Sequence, residues 1–241
     1  HSPEDLRGRR IATPGYSSTS LTWIRGILKD DYGLAPEDVS WVVSEKDSAA
    51  GLAGGGPSTW ERQLPEDLKI ESGPEGKDES DLLVEGNVDA LFHAAEPRAY
   101  VQGHPKIGRL FPDPRKVEKA YFEKTGIFPV MHAVAIRHDL AQEHPWLPKA
   151  VFDAYSRAKH ADSEYMHGLG AFFSTLPWYS QELADTRALM GENFYSYGIP
   201  DNRKALDTVF RYAFEQGLAK GKVEIDEIFH PATLELREPV D

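Results

Sequence analysis

Two stretches of this chain put titratable or anion-binding groups where they could do chemistry. The first is TGIFPVMHAVAIRH, Thr125 to His138, an apolar run with His132 at its centre, followed by HPWL at 144–147. An imidazole titrates near neutrality, so His132 facing a cleft would suit acid or base work. Enclosed in a core, it would instead be satisfied by a backbone carbonyl. The second stretch runs from Ile11-Ala12-Thr13 through Pro14-Gly15 to Ser17, Ser18, Thr19 and Ser20, ahead of Leu21, Ile24, Ile27 and Leu28. Strand, polar turn and helix start leave free N–H groups and the positive end of the helix dipole pointing at whatever lies over the turn, which suits a carboxylate. Hydroxyls that merely cap a helix produce the same pattern.

The elements that must position these groups follow from periodicity and punctuation. Residues 127–136 read as a buried core strand, entered through a rigid turn at Gly126 and Pro129 and ended by Arg137, His138 and Asp139, with a helix starting at Pro145-Trp146. The helix carrying Leu21 to Leu28 stops at Gly33, Val39 to Val43 forms a second strand, and a short helix at Leu82 to Glu85 precedes a third strand, Val88 to Phe92. Strand and helix thus alternate over 9–92, the signature of a parallel α/β sheet whose ligands lie beyond the carboxyl ends of its strands. The loops after Thr13, Val43 and Phe92 are expected to converge there. His93 and Arg98 follow the third strand and are candidate carboxylate contacts, though charged loop residues are commonly just solvated. A helix from Arg115 to Lys124 follows, and beyond Pro145 the chain reads as largely helical, over roughly 145–172, 180–190, 201–217 and 224–229. Phe152, Tyr155, Phe172, Phe173, Phe210, Tyr212 and Phe214 are expected to pack, while Trp178, Tyr195 and Tyr197 lie near turns.

Bulk properties exclude several classes. The chain has 241 residues, 40% of them hydrophobic, enough for a substantial core. A net charge of −12 argues against sequence-independent nucleic-acid binding. The absence of cysteine removes disulfides, thiolate zinc sites and thiol nucleophiles. The pairs His138/His144 and His160/His167 lack the i, i+4 spacing of a helical zinc motif, so no metal and no cofactor are assigned. Gly51 to Pro57 lacks the Gly-Lys-Ser/Thr of a phosphate loop and reads as surface loop. No apolar run reaches the roughly twenty residues of a membrane span, and no basic-then-apolar leader precedes the first element. The expected compartment is cytoplasmic, or periplasmic where a leader has been removed.

The strings TSLTWIRGIL (19–28), RLFPD (109–113), TGIFPVMH (125–132), HPWL (144–147), LPW (176–178), LMGENFYSYGI (189–199), NR (202–203) and EQGL (215–218) resemble the 4,5-dihydroxyphthalate decarboxylase family across almost the whole chain. The resemblance implies an α/β, type 2 periplasmic-binding-protein-like fold with two lobes and a ligand cleft, the first lobe incomplete because an N-terminal half-lobe is expected before Asp5. Residues 9–128 would form the second lobe, and 129–241 would return, mainly helical, to the first. It also implies a cofactor-free decarboxylation of an aromatic dicarboxylate, with His132 moving the proton. Ser18, Thr19, Ser20, Arg25, His93, Arg98 and Arg203 are the expected carboxylate contacts. The competing expectation is a solute-binding protein for a small carboxylate without catalysis. An effector-binding module of a regulator ranks third. The expected partner is a small aromatic carboxylate, with no nucleic acid and no membrane insertion; a homo-oligomer is a further expectation, which no sequence feature specifies.

Overall fold

A computed structural model describes residues 2–49, 65–168 and 175–238. The expected loop at Gly51 to Pro57, the aromatics Phe172 and Phe173, and the side chain of His167 lie outside what is described. The chain divides into two compact units, His1–Val117 with Thr208–Lys222, and Glu118–Asp207 with Val223–Asp241.

The first unit is built on four parallel strands, β1 (Arg10–Thr13), β2 (Ser40–Val43), β3 (Ile70–Ser72) and β4 (Ala90–Leu91), in the order β3-β2-β1-β4. The register sets Ile11 beside Trp41 and Ala12 beside Val42. Alternation then sends Ile11 and Trp41 into one core with Leu6, Leu21, Leu28, Leu34 and Phe92, and Ala12 and Val42 into a second with Leu82 and Val88. Both faces of the sheet are therefore covered, as a parallel sheet requires. Helix α1 (Thr19–Tyr32) covers the first face; Ser18 caps it by accepting from the Leu21 N–H at 3.4 Å, and Gly33 ends it in the left-handed conformation at φ 64°. Helix α2 (Glu79–Val84) covers the other face through Leu82 and is capped by Asp78, which accepts from the Asp81 N–H at 2.8 Å. Gly26 of α1 lies directly under the ring of Tyr212, which also meets Trp23 edge-on at 5.5 Å.

The strands differ from expectation at their margins. The third expected strand shortens to Ala90–Leu91, and β3 was not expected at all: it is three residues long, and Glu71 and Ser72 are exposed, so no apolar alternation marks it.

Helices α3 (Arg98–Val101), α4 (Pro114–Thr125), α5 (His138–Glu143), α6 (Leu147–Gly168), α7 (Tyr179–Met190), α8 (Ile199–Glu215) and α9 (Ile225–Ile228) complete the described elements together with short 3-10 turns. The second unit holds α5 to α7 and α9 entirely, and the division between the units falls inside α4 and inside α8. Residues 126–137 correct the expected buried strand. They adopt no helix or strand, Phe128, Met131 and Val134 are exposed, and so is His132. Apolar content alone does not bury a strand; a ladder neighbour and a covering layer do, and all four strands of the described sheet belong to the other unit. Trp178, Tyr155, Tyr195 and Phe214 are exposed as well, whereas Tyr212 is core.

One buried polar knot orders the second unit. Glu238 accepts from Lys159 Nζ (2.7 Å), Asn193 Nδ2 (2.9 Å) and the Tyr197 N–H (2.8 Å), and Lys159 also reaches the Asn193 side chain and the Tyr195 carbonyl. The ENFYSYGI string is thereby fastened to α6 and to the segment after α9. Burial pushes the Glu238 carboxyl upward, but Lys159, the Tyr197 N–H and Asn193 together hold it below the ordinary glutamate range.

Candidate functional site

In the strand order β3-β2-β1-β4 the chain steps outward from β1 to β3 and then returns to the far side of β1. The reversal lies between β1 and β4, and a ligand crevice is expected beyond the carboxyl ends at that point. The loops after Thr13, Val43 and Phe92 do converge: the Ser44 N–H donates to the Thr13 carbonyl at 3.0 Å, and His93 Nε2 lies 2.9 Å from Asp47 Oδ1.

The polar heart of this edge is Asp47, Glu79 and His93. Their side chains are 8%, 0% and 2% exposed. His93 Nε2 lies 2.9 Å from Asp47 and 3.7 Å from Glu79 Oε1, while Nδ1 faces both the N–H (2.8 Å) and the carbonyl (2.9 Å) of Ala95. Glu79 accepts from the Ser48 N–H at 3.1 Å, from the Ser48 hydroxyl and from Ser44 Oγ at 3.2 Å; Asp47 accepts from the Ala49 N–H at 2.7 Å. The cluster ties the loop after β2, the loop after β4 and the first turn of α2. Buried carboxylates carry a large desolvation cost, so this density of donors is what keeps the edge folded.

Other expected contacts are likewise engaged by the protein. Arg98 forms a fork with Asp78 (3.2, 3.1 and 3.0 Å) and reaches Asp81 at 2.7 Å. Its guanidinium pKa is raised, first by the Asp78 bond, and burial and the Asp81 bond act in opposite senses. The Asp81 carboxyl, which burial pushes up, is brought below its ordinary value by the Asp78 N–H and by Arg98. Arg25 is buried inside the first unit. Its Nε donates to Gln216 Oε1 at 2.8 Å, its Nη2 to the Tyr16 carbonyl at 2.6 Å, and its guanidinium carbon lies 3.8 Å from the Tyr16 ring centroid. Burial pushes the Tyr16 hydroxyl up to about 12, with Arg25 opposing.

What lies open is different. Ser18 and Thr19 are exposed and Ser20 is partly so, at the start of α1 and just beyond the carboxyl end of β1. His132 is exposed on the 126–137 segment, and Arg203 is exposed near the start of α8. The structure thus gathers the α1 hydroxyls, His93 and Arg98 at one edge of the first unit, with Arg25 on the buried face of α1, while His132 and Arg203 belong to the second unit. Asp47 and Glu79 carry no motif of their own in the sequence. Glu79 stands in the polar stretch 73–80, which reads as a connection; the Asp78 to Asp81 spacing of a capping box was the available signal for a helix start there.

No protein-family model matches the chain. It is 34% identical over 238 residues to a 4,5-dihydroxyphthalate decarboxylase of Comamonas testosteroni, covering 98% of this chain and 70% of that relative. It is 35% identical over 114 residues to a 4,5-dihydroxyphthalate decarboxylase of Pseudomonas putida, covering 47% of this chain and 42% of that one. Fold and site define an α/β protein with its polar groups collected at the carboxyl edge of a parallel sheet. Within that class, the length and identity of the first match place it: the chain belongs to the 4,5-dihydroxyphthalate decarboxylase family.

Proposed function

We propose that this chain decarboxylates an aromatic dicarboxylate such as 4,5-dihydroxyphthalate, giving protocatechuate and CO2. The observation that carries the reading is the 34% identity maintained over 98% of the chain. The reaction takes up one proton. Protonation of the ring carbon bearing the leaving carboxylate lets the para hydroxyl stabilise the cationic ring; the C–CO2 bond then breaks and its electron pair restores aromaticity.

The chain's own groups fit the two needs of that sequence. A carboxylate is held at the start of α1, where Ser18, Thr19 and Ser20 present hydroxyls at the positive end of a 14-residue helix. His132, whose imidazole is exposed, supplies or receives the proton. Arg203 offers an exposed guanidinium for a second carboxylate. Arg25, Arg98 and His93, held by protein partners, keep the turn after β1 and the loop after β4 in place. The two discontinuous units and the parallel sheet with its reversal support a type 2 periplasmic-binding-protein-like architecture; the proposed lobes are 9–128 and 129–241, although Thr208–Lys222 packs with the first unit and Glu118 onward with the second.

The test is incubation of the purified chain with 4,5-dihydroxyphthalate, following substrate and protocatechuate by chromatography. Product at a rate above the protein-free control is expected, and loss of turnover in a folded His132→Ala variant. Binding of the dicarboxylate without product would replace decarboxylation by carboxylate capture. Full turnover in His132→Ala would remove the histidine from the mechanism.

A further inference from the structure

We propose that Asp47, Glu79 and His93 form a site for one divalent transition-metal ion, with zinc the ion that fits best. One carboxylate oxygen from each acid and one ring nitrogen lie within 4.8 Å of one another. For a zinc ion with bonds of roughly 2.0–2.1 Å in tetrahedral geometry, ligand atoms stand about 3.3 Å apart. His93 Nε2 is 2.9 Å from Asp47 Oδ1 and 3.7 Å from Glu79 Oε1, values that bracket that spacing. The third pair, the Asp47 and Glu79 oxygens, lies within 4.8 Å and would close onto the ion.

Charge points the same way. Asp47 and Glu79 are two carboxylates shut away from water, and among the described residues neither pairs with a lysine or arginine. Arg98, whose backbone N–H lies 3.4 Å from Ser48 Oγ, turns its guanidinium to Asp78 and Asp81. A single imidazole offsets at most one of the two charges, whereas a divalent ion with a neutral imidazole offsets both. The supporting bonds are already placed. His93 Nδ1 lies 2.9 Å from the Ala95 carbonyl and 2.8 Å from the Ala95 N–H; in the tautomer that donates to the carbonyl, a ligand imidazole is fixed with Nε2 turned inward. The Ser44, Ser48 and Ala49 donors orient the two carboxylates; Asp47 Oδ1, which accepts from the Ala49 N–H, keeps a lone pair for the metal, whereas Glu79 Oε1, which accepts from both the N–H and the hydroxyl of Ser48, would exchange the hydroxyl for it. A mixed set of one nitrogen and two oxygens suits zinc, with manganese next, and not the all-oxygen shell preferred by calcium. The ion would fasten the loops after β2 and β4 to α2, independently of how the α1 edge is used.

The experiment is calorimetric titration of zinc chloride into chelator-treated full chain, repeated with His93→Gln and Asp47→Asn. One zinc per chain is expected, with a rise in melting temperature. Affinity should fall in each variant by more than the roughly 10–100-fold associated with losing a supporting residue. Nine histidines give adventitious zinc somewhere to bind, so uptake that survives unchanged in folded His93→Gln overturns the proposal. Should the variants fail to fold, cobalt titrated into the unaltered chain decides. Strong visible absorption at one equivalent, displaced by zinc, supports the site; weak absorption, or no metal-dependent rise in melting temperature, overturns it.

Discussion

Replacing Gly26 by alanine sets a helix-stabilising change against a core clash, and the structure says which wins. A Cβ on Gly26 lands against Cγ, Cδ2 and Cε2 of Tyr212, more than an ångström inside the roughly 3.5–4.0 Å carbon–carbon contact. The ring is not free to retreat: it meets Trp23 edge-on at 5.5 Å, and its hydroxyl donates to Asp30 at 2.8 Å. Overpacking of this kind costs about 1–3 kcal/mol, and losing the half-buried hydrogen bond costs about 0.5–1.5 kcal/mol. Against this stands the gain of about 1 kcal/mol for alanine over glycine inside a helix. Gly26→Ala should therefore lose about 2 kcal/mol by urea denaturation. The decisive companion is Tyr212→Leu, which removes the obstructing ring: in that background the same glycine-to-alanine change should become stabilising by up to about 1 kcal/mol. A Gly26→Ala protein as stable as the parent, or a loss of equal size in both backgrounds, would refute the packing argument.

Tyr16 should make the protein sensitive to alkali. Its native pKa lies near 12 and the unfolded value near 10, so above pH ~10 the unfolded chain sheds a proton that the native state retains, and stability falls by about 1.4 kcal/mol per pH unit until ~12; a shallower alkaline limb in Tyr16→Phe checks it. The acid limb should depend on Glu238, whose native pKa is depressed: its contribution is complete above ~4.3 and disappears as pH falls through the native value, and Glu238→Gln should remove that part of an acid titration followed by circular dichroism. Glu238→Ala, which leaves the largely buried Lys159 its Asn193 and Tyr195 bonds but takes away its carboxylate, should cost about 3 kcal/mol by chemical denaturation. Gly198→Ala should also destabilise measurably in a thermal melt, because the glycine sits at φ +97° with the Leu236 carbonyl against the position its Cβ would take.

The strands and caps that a local rule can specify were legible. Ile11 to Thr13 and Val39 to Val43 are short apolar runs bounded by turns, Ser18 and Gly33 bracket α1, and together they were enough to expect a parallel sheet with converging loops. Strand β3 was not legible because an edge strand with exposed Glu71 and Ser72 has no apolar alternation to betray it. The run at 127–136 misled for the opposite reason: its composition satisfies the strand rule, but burial depends on what covers a segment, and here Phe128, Met131 and Val134 remain exposed. At the candidate site the histidine was visible and its company was not. Asp47 is 46 residues from His93 in sequence, and only the sheet order brings the two acids to one imidazole.

The assembly of the first unit has a consequence for the growing chain on the ribosome. Arg25 is completed by Gln216, 191 residues downstream, and the Trp23 and Gly26 face of α1 is closed by Tyr212. At roughly 5–20 residues per second, this leaves about 6–25 s in which all four strands have been synthesised while a tryptophan and an arginine of their covering helix wait for the segment that shields them. A nascent chain arrested near residue 200 would carry the complete sheet and yet be unable to finish that core, so this unit matures only after most of the second unit has already been made.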